Sequence, residues 1–448
     1  MKHAMLLLSL VLPAAGADPP PLAIRNARVV TVSGPVLKKA TVVVKDGLIA
    51  AVGENMDIPK DAWVIEGEGL TVYPGLIDAL SNWGIPEAAA LAPAPAASGR
   101  TSTTPRPAPS ATPDPSAPPP AQGPEDRPSN TSWQRAADLV KPTDRRLEAA
   151  RSAGFTTAVT FPMTGIFAGQ GAVINLAGEK AQQMVVASPV GQYLAFPAGS
   201  GFGGGGGFPG SLMGVFAYIR QLNIDADYYR QARLEYEKRP AGARRPDYDR
   251  ASEGWLESPR ILLPATRAME IDRVLRLAAE VKKLAVVYGA HEGYKAADLL
   301  KKAGAPVLMS LKWPEKARDA DPDQPESLRT LELRDKAPST PAALAKAGVK
   351  FAFYTDKIDR PRDALRAVRR AIDAGLSVDD AVRALTLAAA EIYGVAGQIG
   401  SIEAGKIANL LVTSGDLFQE KTQVKFVLID GVKFEPAPET PPAEEVAR

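Results

Sequence analysis

"YPGLIDALSNWG", Tyr73 to Gly84, stands at the seam between two sequence textures, and its residues decide both the fold and the chemistry. Upstream, from Pro21 to Thr71, short β-branched runs such as "AIRNARVVTV" and "ATVVVKDGLIAAVG" alternate with turns, and Asp46-Gly47 is a hairpin signal. Near the other end, "GSIEAGKIANLLVTSG" and "VKFVLIDGVKFE" repeat that style, with a second Asp-Gly at Asp430-Gly431. Two β-rich flanks of matching texture imply one sheet domain built from both chain ends.

Downstream of the seam, apolar runs alternate with helical patterns. "GFTTAVTF", "RILLPA", "KLAVVYGA", "APVLMSL" and "VKFAFYTD" are strand candidates; "AMEIDRVLRLAAEVKK", "GYKAADLLKKAG", "RDALRAVRRAIDAG" and "SVDDAVRALTLAAAEIYGV" are helices. Ser377 with Asp380 reads as an N-terminal cap, and Gly348, Gly375 and Gly394 sit where helices stop. Repeated strand-then-helix units, about eight over this length, argue for a closed (β/α)8 TIM barrel over an open sheet. The expected organisation is therefore α/β: a composite β-sandwich from 18–77 and 397–435, and a barrel over 78–396. Two segments fit neither texture. Leu91 to Pro128 is rich in Pro, Ala, Ser and Thr, an insert with little to bury, and "GSGFGGGGGFPG", Gly199 to Gly210, lacks the setting of a phosphate loop. The tail 436–448 reads as unstructured.

With 53 Lys plus Arg against 51 Asp plus Glu, the chain carries no general field for nucleic acid or an anionic membrane. It has no Cys, so thiolate ligands, thiol nucleophiles and disulfides are excluded. The start combines Lys2 and His3, the run "AMLLLSLVLPAA" and the small residues Ala15-Gly16-Ala17 before Asp18. That is the pattern of a secretory signal peptide over 1–17, so export to the periplasm or beyond is expected. No later run is apolar enough to span a bilayer.

Several separated motifs carry a resemblance. "GLTVYPGLIDA", "GQGAVINLAG", "RAMEIDRVLRLAAE", "GAHEGYKAADLL", "VRALTLAAAEIYGV" and "GSIEAGKIANLLV", in this order, resemble the amidohydrolase superfamily, specifically its imidazolonepropionase-like branch. The resemblance implies a distorted metallo-dependent hydrolase barrel with the composite β-sandwich, and hydrolysis of C–N bonds in small amide-like substrates. It also implies one or two divalent metals held by a His-x-His pair after the first barrel strand, by His residues ending the fifth and sixth, and by an Asp ending the eighth.

Here the ligand pattern breaks. The His-x-His positions fall on Leu80 and Asn82, and the fifth-strand position on Pro264. The sequence holds two His, and His3 lies in the leader. One imidazole and no Cys cannot assemble a His-based binuclear zinc site, so no cofactor is expected. The resemblance maps the sixth-strand His onto His291 and the eighth-strand Asp onto Asp356, an Asp-His pair able to act as general base. A weak oxygen-rich metal site from His291, Glu292 and Asp356 is the alternative. Asn82 and Gln170 are candidates for the pocket, Trp83 for its apolar wall or for packing under the loop, and Arg267 and Arg220 for a substrate carboxylate or for surface pairing. Asp78 reads as structural, at the junction of the two domains. The expected partner is a small-molecule substrate or ligand, with a homo-oligomer left open. Two functions compete: a metal-poor hydrolase of a small amide, and a non-catalytic descendant that binds a small molecule or a partner in the cell envelope.

Overall fold

The computed structural model describes residues 20–86, 127–196, 209–242, 244–316, 321, 325–358 and 360–437. The leader, nearly all of the Pro-rich insert, residues 199–208 of the Gly-rich stretch and most of the tail lie outside the described residues.

The first strands are β1 (Leu22–Val29), β2 (Leu37–Lys45), β3 (Leu48–Gly53), β4 (Trp63–Glu66) and β5 (Thr71–Pro74). The middle of the chain supplies β6 (Leu76–Ser81), β7 (Phe155–Thr160), β8 (Phe167–Gln170), β9 (Ala172–Asn175), β10 (Val185–Ala187) and β11 (Gln192–Leu194). It continues with β12 (Arg260–Ala265), β13 (Leu284–Gly289), β14 (Val307–Ser310) and β15 (Phe351–Tyr354). The last strands are β16 (Leu410–Thr413), β17 (Val424–Ile429) and β18 (Val432–Phe434).

Both chain ends enter one eight-stranded sheet, ordered β18-β17-β16-β5-β1-β2-β3 with β4 against β1. The two Asp-Gly signals are its turns. Asp46, Gly47, Asp430 and Gly431 all have positive φ, between 51° and 77°, as a tight two-residue hairpin requires. The turns also touch: a Cβ on Gly431 would lie 3.0 Å from the Cα of Gly47. Gly75 marks the passage out of this sheet. Its N–H donates to the Asn409 carbonyl at 2.8 Å, and a Cβ there would lie 2.0 Å from Thr156 Oγ1, so β5 and β6 pass β7 only with a bare backbone.

The remaining strands form two mixed sheets, β10-β9-β7-β6 and β15-β14-β13-β12-β11-β8. β6 and β7 are parallel, as are β11 to β15 in succession. The expected all-parallel order is interrupted by β8 and β9, which flank Gly171 and run antiparallel, β8 to β11 and β9 to β7. One continuous run thus borders both sheets. A Cβ on Gly171 would fall 2.2 Å from the Phe161 ring. At the other margin β15 meets β6 through side chains: Thr355 N and Oγ1 donate to the two Asp78 oxygens at 3.1 and 2.6 Å.

Alternation along the strands separates two apolar layers. Val286, Leu308, Ala352, Val159, Ile77 and Leu262 share an inner cluster with Leu80 and Phe161. Val287, Val307, Met309, Phe351 and Phe353 face the outer layer, where helices such as Ala268–Glu280 bury Ile271, Val274 and Leu277. Helix ends follow the sequence signals. Ser377 Oγ accepts from Asp380 N at 3.0 Å, and Gly348 and Gly394 end their helices in the left-handed region.

Candidate active site

The C-terminal ends of β13, β14 and β15 bring the two predicted chemical groups together. β13 ends in Gly289 and Ala290, both with positive φ (97° and 48°), and the chain then turns His291 into a buried position. Positive φ at an alanine is strained, and Ala290 is held there by its N–H to the Ala265 carbonyl at 2.6 Å. β15 ends likewise in Thr355 and then Asp356, at φ 49°.

Ser310, at the end of the intervening β14, links the two. Its hydroxyl donates to Asp356 Oδ2 at 2.5 Å and accepts from Lys312 N at 3.1 Å, while its carbonyl takes the hydrogen bond of the His291 ring. Tyr354 OH approaches the same Oδ2 at 3.4 Å. His291 Nε2 is buried without a partner, so the nitrogen bound to Ser310 is Nδ1. A ring that donates from Nδ1 leaves a lone pair on Nε2, an acceptor. Burial holds the imidazole pKa below its ordinary range, and the nearby Asp356 only partly offsets this. The ring packs against Trp313, with centroids 5.9 Å apart.

Three phenols complete the surroundings. Tyr193 and Tyr288 stack at 5.2 Å with hydroxyls 3.0 Å apart, and Tyr288 OH donates to the Leu194 carbonyl. Tyr354 meets Tyr288 edge-on. Burial raises the pKa of all three, and the negative Asp356 pushes the same way. Beneath them Asp78 is fully enclosed; burial pushes its carboxyl up to about 7 despite bonds from Thr355. Ser310, the tyrosines and the grip of Asp78 on Thr355 were missed in the sequence reading. Counting back two residues from Asp356 would have found Tyr354.

The other candidates lie elsewhere. Gln170 is fully buried at the N-terminal end of the parallel strands, paired with Gln192 opposite Ile261, and its amide donates to the Ser132 and Gly254 carbonyls. It faces a different end of the sheet from His291, because β8 runs antiparallel. Asn82 Oδ1 accepts from Arg146, which also binds the Asn82 and Ile85 carbonyls and Asp144, stapling the loop after β6. Trp83 packs edge-on to Phe155 in the outer layer, beneath that loop. Arg267 is exposed at the start of helix Ala268–Glu280, and Arg220 pairs with Glu280 on the surface.

Residues 266–433 match the amidohydrolase family profile. An amidohydrolase from Thermotoga maritima MSB8 superposes with a TM-score of 0.72 at 26% identity, over 92% of this chain and all of that one. The profile match places residues 266–433 in the amidohydrolase family. A Xaa-Pro dipeptidase with bound methionine shares the fold at 16% identity, with a TM-score of 0.51 over 93% of this chain and 100% of that one. An enamidase from Eubacterium barkeri is 51% identical over 49 residues, a stretch covering 10% of this chain and 13% of that protein.

Metal ligation typical of this superfamily does not fit the donors present. Leu80 is buried in the inner apolar cluster, and Pro264 stands opposite Tyr288 in the sheet. Glu292, a member of the weak alternative set, turns away: its Oε2 accepts from Ala268 N at 3.1 Å and its Oε1 lies 3.9 Å from Lys295 Nζ. Among the described residues no group of three or more His, Asp and Glu side chains is placed to hold a metal ion.

Proposed function

We propose that this amidohydrolase acts on the C–N bond of a small amide-like substrate with Asp356 as general base and without a tightly held zinc. The observation that supports this reading is the linkage of Asp356 to His291 through Ser310, at the strand ends where barrel enzymes keep their chemistry. In this scheme a water gives its proton to Asp356 as its oxygen adds to the amide carbon. The carboxyl then returns the proton to the leaving nitrogen. The two mixed sheets are read as a distorted barrel in which β8–β9 is the antiparallel member and Asp78 with Thr355 bridges β15 to β6. We further assign the chain to the imidazolonepropionase-like branch and, from residues 1–17, to export.

Magnitudes set the expected rate. A catalytic metal brings bound water from a pKa near 15.7 to about 7, whereas general-base catalysis supplies about 100 to 10,000-fold. Turnover is therefore slow or confined to activated amides. Protein purified without chelator should hold far less than one zinc per chain by elemental analysis. It should hydrolyse members of a cyclic-amide and dipeptide panel, and Asp356→Asn should lower that rate by roughly 100-fold or more. Stoichiometric zinc, or hydrolysis indifferent to Asp356, would refute the reading.

One observation favours a second reading, a small-molecule-binding protein without turnover. Ser310 and Tyr354 both occupy Asp356 Oδ2, and donors to a carboxylate lower its basicity. Wild-type protein that binds panel members without hydrolysing any would establish it.

A further inference from the structure

Where the chain returns from the Pro-rich insert, it meets a groove. Residues 87–126 lie outside the described residues, and Arg127 is the first residue after them. Its guanidinium is held from two sides: Nη1 donates to both Asp249 oxygens at 3.0 and 2.9 Å, and Nη2 donates to Asp225 Oδ2 at 3.1 Å. Asp225 belongs to helix Leu212–Lys238, and Asp249 caps helix Arg250–Glu257 by accepting from Ala251 N and Ser252 N. Asp249 is buried and the Arg127 side chain is only 19% exposed, so the end of the insert is fixed at this spot. A groove of about 560 Å³ opens beside it, walled by the long helix from Asp225 to Ala232 and by residues 244–249. That volume lies in the range of about 300–1,000 Å³ that ligand clefts occupy.

Arg127 neutralises Asp225 and Asp249, and the rest of the wall is left with unmatched groups. Arg245 is exposed and has no ion pair or hydrogen bond among the described residues. Arg244 reaches only Asp247, at 3.3 Å with both side chains more than three-quarters exposed, a pair worth little. Two guanidiniums therefore share one carboxylate. The aromatic part of the wall is Tyr228, 75% exposed and one helical turn beyond Asp225. The residues that precede Arg127 match these groups. Glu125 and Asp126 are acidic, and Pro124 and Pro118-Pro119-Pro120 come just before them. Pro124 lies within about 11 Å of extended chain from Arg127, and the helix rises about 4.5 Å from Asp225 to Tyr228, so Pro124 reaches that ring. Pro-rich segments suit aromatic-lined grooves because a polyproline helix has little freedom to lose. A segment tethered at Arg127 has an effective concentration on the order of mM, so contacts too weak to hold a free peptide suffice.

We propose that this groove is the docking site for the end of the chain's own insert, residues 118–126. Pro124 lies against the Tyr228 ring, and Glu125 and Asp126 pair with Arg244 and Arg245. The groove shares no residue with the Asp356 site, so this proposal and the functional reading stand or fall separately.

The chain has no Cys, so one introduced Cys takes a nitroxide spin label at a chosen place. Full-length Ala121→Cys and Ser102→Cys proteins, each labelled, are compared by electron paramagnetic resonance. The label at 121 should be strongly immobilised, and the label at 102, outside the docked stretch, should not. Tyr228→Ala and Arg245→Glu should each cut the immobilised fraction at 121 several-fold, as should raised salt. Both side chains are exposed, so circular dichroism should show the fold unchanged in these variants. Asp126→Arg should also free the label, and Asp126→Arg combined with Arg245→Glu should immobilise it again. The comparison of 121 with 102 needs no change in the groove and holds if a groove variant impairs folding. A label at 121 as free as that at 102, or one whose immobilisation ignores both Tyr228→Ala and Arg245→Glu, would overturn the proposal. So would immobilisation that vanishes on dilution, which would mean that the insert of a second copy fills the groove.

Discussion

Asp78 shows how one buried group can tie stability to pH. Its carboxyl titrates near 7 in the folded chain because burial outweighs the three donors that reach it, and near 4 when unfolded. Between about pH 4 and 7 the folded state holds a proton that the unfolded state has released. Its contribution is therefore greatest at the acid end and is lost as pH rises through 7, a change on the order of 4 kcal/mol. Asn preserves the shape and an acceptor for Thr355 without titrating. Urea melts of Asp78→Asn should show the variant gaining on the wild type as pH rises from about 4 to 8, and a constant difference would mean that Asp78 ionises normally. His291 has the opposite sign: a depressed folded pKa gives stability above the unfolded value, lost as pH falls. Proton NMR should find this ring titrating below the ordinary imidazole value of about 6.5. The missing ligands were legible in the sequence because the identity of Leu80 or Pro264 settles what it can bind. Ser310 was not, since a serine closing an apolar run looks the same whether or not its hydroxyl reaches a carboxylate 46 residues further on.

At the scale of elements, the paired Asp-Gly turns were readable because their chemistry is local, whereas their contact with each other was not. Gly47→Ala meets both a left-handed backbone and the Asp430 carboxylate, 2.9 Å from the new Cβ. It should cost at least about 1–2 kcal/mol by chemical denaturation. Gly75→Ala tests the close passage of β5 and β6 over β7. Overpacking there should cost about 1–3 kcal/mol, and an unaltered melt would contradict the approach to Thr156. The helices Ala268–Glu280, Gly293–Ala303 and Asp363–Asp373 were found from their periodicity, whereas the run read as one helix after Ser377 is two, Val378–Ala384 and Leu387–Tyr393. β8 and β9 were hidden because four-residue apolar strands carry no sign of direction, and only Gly171 hints that the run changes partner.

For the whole molecule, the matching texture of the two flanks was enough to infer a shared sheet, because β5 has β1 on one side and β16 on the other. A chain ending before β16 would leave the buried edge of β5 without a ladder partner. Such a truncation should abolish cooperative unfolding by circular dichroism, and a native-like transition would show that the first five strands are self-sufficient. The shared sheet also sets a timetable. β1 and β5 wait for β16, which leaves the ribosome long after them, and no local nucleus can complete the sheet that joins them. Pairing over so long a stretch of chain makes closure slow and leaves β5 a sticky, open margin until β16 has been made.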